Sequence, residues 1–223
     1  MSTFRKRGTL PPEVAERLPP NQALTEKWPV LHYGSVPVIA PAQWALTIFG
    51  LVEEEVRIGW DDLQRLPRAE RTNDIHCVTH WSRLGNAWTG AAVPDVLALA
   101  RVRPEATHVM LHAFGNYTTN LSLEDFARPG NLFATHHDGA PLAPEHGGPV
   151  RVVVPHLYFW KSAKWVRGVE LMAGDRPGFW EENGYHMRGD PWRSERYDDS
   201  PVRRMQQMRA ASKREARKED GSG

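Results

Sequence analysis

A single cysteine, Cys77, lies between two histidines in the run Asn73-Asp74-Ile75-His76-Cys77-Val78-Thr79-His80-Trp81-Ser82. A thiolate is a strong anionic donor and imidazole a borderline one, so His76, Cys77 and His80 have the side-chain types of a soft-metal site. The spacing is poor for zinc. Structural zinc takes four ligands at paired spacings, and a zincin helix carries Glu after its first His, where this chain has Cys77. A lone cysteine is by default a small buried hydrophobe. The setting of Cys77 is different, because the polar run Arg71-Thr72-Asn73-Asp74 enters it as a strand and Trp81-Ser82-Arg83-Leu84-Gly85-Asn86 reads as a loop leaving it. Strand-to-loop positions place side chains in clefts.

A second cluster is Arg151 with Lys161, Ser162 and Lys164, beyond the glycines Gly147-Gly148. Cations and a hydroxyl converging there suit a phosphate or another oxyanion, against the alternative of a solvated basic edge. Of the histidines, His32, His112 and His146 fall in loop or strand positions near these two clusters.

The elements that must position these residues are mostly short strands. Trp44 to Val52 alternates as a half-buried strand with a glycine bulge, and Glu53 to Ile58 is its return. Asp61 caps a helix from Asp62 to Leu66, which Pro67 ends. Val93 to Ala100 has Pro94 at its start and an apolar face, so it reads as a helix. Thr107 to Ala113 and Tyr117 to Leu121 form a hairpin, and Ser122 caps a short helix. Leu132 to His136 leads into the Asp138-Gly139 turn, and Val150 to Val154 and Lys164 to Leu171 are further strands. Strands outnumber helices without alternating with them, which predicts an α+β fold with mixed, mainly antiparallel sheets.

With 223 residues the chain is long enough for one large domain. Residues 1–27, with Pro11-Pro12 and Pro19-Pro20, read as an extended surface arm with at most a short helix from Glu13 to Leu18. Residues 28–200 form the main domain, and 201–223 a basic, disordered tail. The aromatic-rich stretch from Gly178 to Tyr197 packs against the body. A formal net charge of +1 argues against a nucleic-acid binder. One cysteine excludes an intrachain disulfide, and no run approaches the about 18 apolar residues of a membrane helix. Basic residues near Met1 precede no apolar segment, so the expected location is cytoplasmic.

The series Ile48-Phe49-Gly50-Leu51-Val52, His76 to Ser82, Trp88-Thr89-Gly90, Gly148 to Pro155 and Lys161 to Trp165 resembles, in order and spacing, the molybdopterin-binding domain of the sulfite oxidase family. The resemblance spans roughly residues 28 to 173. Cys77-Val78 with Trp81-Ser82 is similar to the bacterial protein-methionine-sulfoxide reductase catalytic subunit branch.

That resemblance implies a Mo-molybdopterin cofactor with Cys77 as the thiolate ligand of the metal. It implies that His146 and Arg151 grip the pterin and that Ser162-Ala163-Lys164 binds near its phosphate. His32 and Tyr33 match another cofactor-contacting loop, and His112 lies near a further contact position. Animal and plant sulfite oxidases carry arginines at places that hold Leu31 and Val78 to Ser82 here, which leaves Arg83 as a displaced catalytic cation. The expected activity is oxygen-atom transfer on a small-molecule substrate, as sulfoxide reduction or oxidation of sulfite or a related compound. Electrons would be exchanged with a separate electron-transfer protein, heme or flavin being left open. The rivals are a non-catalytic cofactor carrier and a zinc hydrolase built on His76, Cys77 and His80.

Overall fold

The computed structural model describes residues 4–198. The basic tail expected over 201–223 lies outside the described residues. The strands make two sheets. The smaller one has the order β4-β3-β12-β7-β8, built from Val56–Gly59 (β4), Ala45–Gly50 (β3), Val166–Met172 (β12), His108–Ala113 (β7) and Thr118–Ser122 (β8). The larger runs β1-β2-β6-β9-β10 through Phe4–Lys6 (β1), Ala23–Thr25 (β2), Trp81–Ala92 (β6), Leu132–His137 (β9) and Ala140–Pro141 (β10). Arg68–His76 (β5) pairs with β6, and Arg151–Val153 (β11) pairs with β9. Pairing is antiparallel except between β2 and β6 and between β3 and β12. With five short α-helices among the described residues, this is the expected α+β architecture.

Residues of both sheets meet in one core, where Leu46, Ile48, Val109, Leu111, Val169 and Leu171 face Ala91, Phe133 and Val152. The larger sheet is buried on its other face as well. Successive side chains of a strand point to opposite faces, so Phe133 and Val152 enter the main core while Leu132, Ala134 and Val153 join a second cluster with Cys77, Trp81, Trp88, Tyr158 and Trp160. Burial on both faces explains why Val150 to Val154 is an unbroken apolar run apart from Arg151. It also brings Cys77 into an aromatic layer.

Several expected elements form as read. Thr118–Ser122 returns along β7, and the Ser122 hydroxyl accepts from the Asp125 amide at 3.0 Å to cap the helix Leu123–Phe126. Asp138 and Gly139 take φ of 48° and 83°, the pair of left-handed residues that a tight hairpin turn requires. Other expectations need correction. Trp81 to Asn86 is the first half of the long strand β6 and not a loop, because the buried polar side chains of Ser82 and Asn86 find partners within the hairpin. Ser82 bonds His76 at 2.8 Å, and the Asn86 amide donates to Asn73 O and Arg83 O. The helix near 61 spans Trp60–Arg65 with Gly59 as its cap, since the Asp62 carboxylate reaches back to the Gly59 amide at 2.9 Å. The N-terminal segment has its short helix at Pro12–Ala15, and β2 joins the large sheet beside Trp81 and Ser82.

β6 and β9 approach closely at Gly90, where a Cβ would overlap the Phe133 carbonyl oxygen. Neither partner is a side chain that can swing away. Gly90→Ala is therefore expected to destabilise the protein by about 2–3 kcal/mol, read as a lower midpoint in urea unfolding. An unchanged midpoint would show that the two strands part at no cost.

Candidate cofactor cleft

Cys77 sits in the turn between β5 and β6, with the backbone bond Cys77 N to Trp81 O at 2.8 Å closing it. The strand-end position expected for the cysteine is present, but a hairpin turn supplies it. The Sγ lies 3.1 Å from the Thr79 hydroxyl. Burial pushes the thiol pKa up, opposed first by bonds to Thr79 and then by the charge of Arg196.

The turn opens on a cleft of about 330 Å³. Cys77, Thr79 and Trp81 line one part, and Arg151, Ser162 and Lys164 another. His32 and Tyr33 lie along its rim, and Trp28, Tyr117, Phe159, Trp160, Trp180 and Tyr185 complete walls that are mainly aromatic.

Arg151 is 1% exposed. Its guanidinium donates to the carbonyls of His146 and Ser162, each at 2.8 Å, and stacks 4.2 Å from the Phe159 ring centre. No described carboxylate lies within 4.0 Å of it. Burial pushes its pKa down to about 9. Lys164 is half-buried: its ammonium donates to Leu31 O at 2.8 Å and Glu145 O at 2.6 Å, and burial followed by repulsion from Arg151 lowers its pKa to about 7. Gly147, at φ 102°, lets the stems of the two cations close in, since a Cβ there would meet Lys164 at 3.0 Å and Arg151 at 3.1 Å. A buried guanidinium and a half-buried ammonium held on carbonyl dipoles and ring faces are costly without an anion beside them.

His146 stacks on Trp28 with ring centres 3.8 Å apart. Its Nδ1 is buried and bonds nothing among the described residues. Burial, then Lys164 and Arg151, hold its pKa near 4, so the ring is neutral at pH 7. Ser162 lines the cleft while its hydroxyl accepts from the Val154 amide at 2.9 Å. Ala163 is buried beneath it and serves through its carbonyl, which accepts from Val152.

Other expected residues are elsewhere. His112, on β7, bonds Glu170 at 2.9 Å in the smaller sheet and does not line the cleft. Arg83 is held by Asp138 at 2.7 Å, with Asn86 and His137 beside it, and also lies outside the lining. Arg188 pairs with Asp125 at 2.9 Å. Lys161 pairs with Glu181 at 2.7 Å in full burial, so only Lys164 of the two lysines faces the cleft. His76 bonds Ser82 and His80 bonds Asn21 O, and the described residues contain no group of three or more His, Cys, Asp or Glu that could hold a metal. The zinc arrangement of His76, Cys77 and His80 is thus not formed. Among the residues that local spacing missed are Tyr117 and Phe159; both are aromatic, which is their one sequence signal.

Comparison with known proteins shows the family of the chain. Residues 33–180 match the family described as oxidoreductase molybdopterin binding domain. The chain is 52% identical over 182 residues to the oxidoreductase YuiH of Bacillus subtilis, covering 81% of this chain and 92% of that one. It is 29% identical over 174 residues to the protein-methionine-sulfoxide reductase catalytic subunit MsrP of Gluconobacter oxydans, covering 68% of this chain and 55% of that one. In fold it is similar to the sulfane dehydrogenase SoxCD from Paracoccus pantotrophus, with a TM-score of 0.61 and 22% identity over 69% of this chain and 43% of that one. The chain therefore spans nearly all of the Bacillus relative and about half of the other two, and it belongs to the family of molybdopterin-binding oxidoreductase domains.

Proposed function

We propose that this protein is a mononuclear molybdenum oxidoreductase that transfers an oxygen atom, and that Cys77 is the thiolate ligand of the metal. The observation that carries this reading is the convergence on one aromatic cleft of a buried thiol, a buried guanidinium and a half-buried ammonium, both cations lacking a carboxylate partner among the described residues. A phosphorylated, sulfur-bearing pterin with a high-valent metal fits that donor set. Arg151 and Lys164 would hold the anionic end, His146, which is not itself a lining residue, supports the cleft wall by stacking on Trp28, and a soft thiolate suits the metal. When bound, the group supplies a metal that cycles between oxidation states and exchanges oxygen with substrate.

The chain's own residues do the rest. The aromatic walls exclude water and orient the ligand, as mainly apolar pockets do. Residues 28–200 form the catalytic unit in this reading. The Gluconobacter relative is by name a catalytic subunit, which supports electron exchange with a separate partner protein. Reducing a sulfoxide takes up two electrons and two protons and releases the sulfide and water, so such a partner would be the donor.

Substrate choice follows from the cations. Arg83 and Arg188 are bound to carboxylates away from the lining, while Thr79, Trp81, Trp180 and Tyr185 face the cleft. A small dianion would find no free cationic clamp among the described residues there, whereas a neutral sulfoxide would find apolar surface. Sulfoxide reduction is therefore expected to exceed sulfite oxidation in kcat/KM under matched dye-linked conditions. A micromolar KM for sulfite that rises sharply in Arg83→Ala would reverse that ranking.

A further inference from the structure

The Cys77 turn is held by residues from both ends of the described chain, all outside the matched domain at 33–180. From the N-terminal side, the Gln22 amide donates to the Cys77 carbonyl at 3.0 Å, and the Ala23 amide to His80 O at 2.9 Å. Arg17 adds a two-point bond to Asp74, at 2.9 and 2.5 Å, on the strand leading into the turn. From the C-terminal side comes Arg196. Its guanidinium donates to the Val78 carbonyl, reaches Pro20 O at 3.4 Å, and lies 4.8 Å from the centre of the Tyr158 ring.

Arg196 is only 7% exposed, and no described carboxylate is within 4.0 Å of it. A guanidinium so placed is held by two carbonyls and a ring face, and its charge falls against the backbone of Val78, the residue after Cys77, rather than on a described acid. The two segments also brace each other, since Arg196 bonds the residue two before Gln22.

We propose that Arg196 and Gln22 are positioning residues: together they clamp the Cys77 turn from outside the shared domain, and Arg196 lends positive charge to the thiolate in its role as metal ligand. The second half of this statement rests on the functional reading above, and the first half does not. A residue that fixes a ligand's backbone sets the direction of its sulfur, and such supporting groups tune a metal as well as hold it. Positive charge near an anionic ligand favours the more reduced, more negative state of the site, so its loss lowers the reduction potential.

The test uses the full chain as purified, with Arg196→Met, Arg196→Lys and Gln22→Ala. Amide hydrogen exchange at residues 77–81 is expected to speed up about tenfold in Arg196→Met and Gln22→Ala, the size that loss of one buried hydrogen bond gives. Exchange in β7 and β12 should stay as in the parent, which excludes general unfolding. In molybdenum-loaded protein, Arg196→Met should shift the metal's midpoint potential to more negative values, Arg196→Lys should restore much of that shift, and Gln22→Ala, which keeps the charge, should move it least. Parental exchange at the turn in both Arg196→Met and Gln22→Ala would overturn the clamp. A midpoint potential that is the same in Arg196→Met would overturn the charge role. Should the purified chain carry no molybdenum, the functional reading and the ligand role fall with it, while the exchange rates still decide the clamp.

Discussion

Cys77→Ser is expected to lower oxygen-transfer turnover on the order of 100-fold or more, beyond what loss of a supporting residue costs a metal site. Serine keeps the size of the side chain and can still bond Thr79, so the turn should fold. What changes is the donor: a hydroxyl is harder and weaker than a thiolate toward a high-valent metal. Pterin retention is expected, because the cations assigned to its anionic end lie on β11 and just before β12, remote in sequence from the cysteine. Wild-type turnover in the serine variant would remove Cys77 from the metal site.

Arg151→Met separates binding from folding. Losing one member of a buried charge pair typically costs about 3–5 kcal/mol, which is about two to three and a half orders of magnitude in affinity for an anionic cofactor. The molybdenum content of the purified variant should fall accordingly. The empty protein should behave differently. Without the anion, Arg151 is a buried charge whose pKa is already forced down by desolvation. Methionine relieves that cost while leaving two carbonyls, of His146 and Ser162, without their donor. The unfolding midpoint of cofactor-free protein is therefore expected to change little while occupancy collapses. Full metal occupancy in Arg151→Met would return Arg151 to a structural role.

Much of this arrangement was legible where local pattern and chemistry coincide. The lone cysteine between polar strand and aromatic run, the glycines before Arg151, and the β-branched strand that follows are all contiguous signals. What escaped were features decided by long-range packing. Trp81 to Asn86 looked like a loop because its polar residues outnumber its apolar ones, yet Ser82 and Asn86 are buried and bonded within the hairpin. Lys161 and Lys164 looked equivalent as cations. They diverge because the first ends in a buried pair with Glu181, and the second follows the turn that exposes it to the cleft. Arg83 stood near the cysteine in sequence, but Asp138, 55 residues away, holds it aside. Arg196 is the extreme case. Its contact with the turn spans 118 residues, and no spacing rule connects the two.

The central claim is a molybdenum centre with Cys77 among its ligands, and X-ray absorption at the molybdenum edge, with metal analysis of the same sample, tests it most directly. Molybdenum stoichiometric with the chain is expected, in a sulfur-rich shell that loses a sulfur scatterer in Cys77→Ser. A purified chain without molybdenum, or a sulfur shell identical in parent and serine variant, would contradict it.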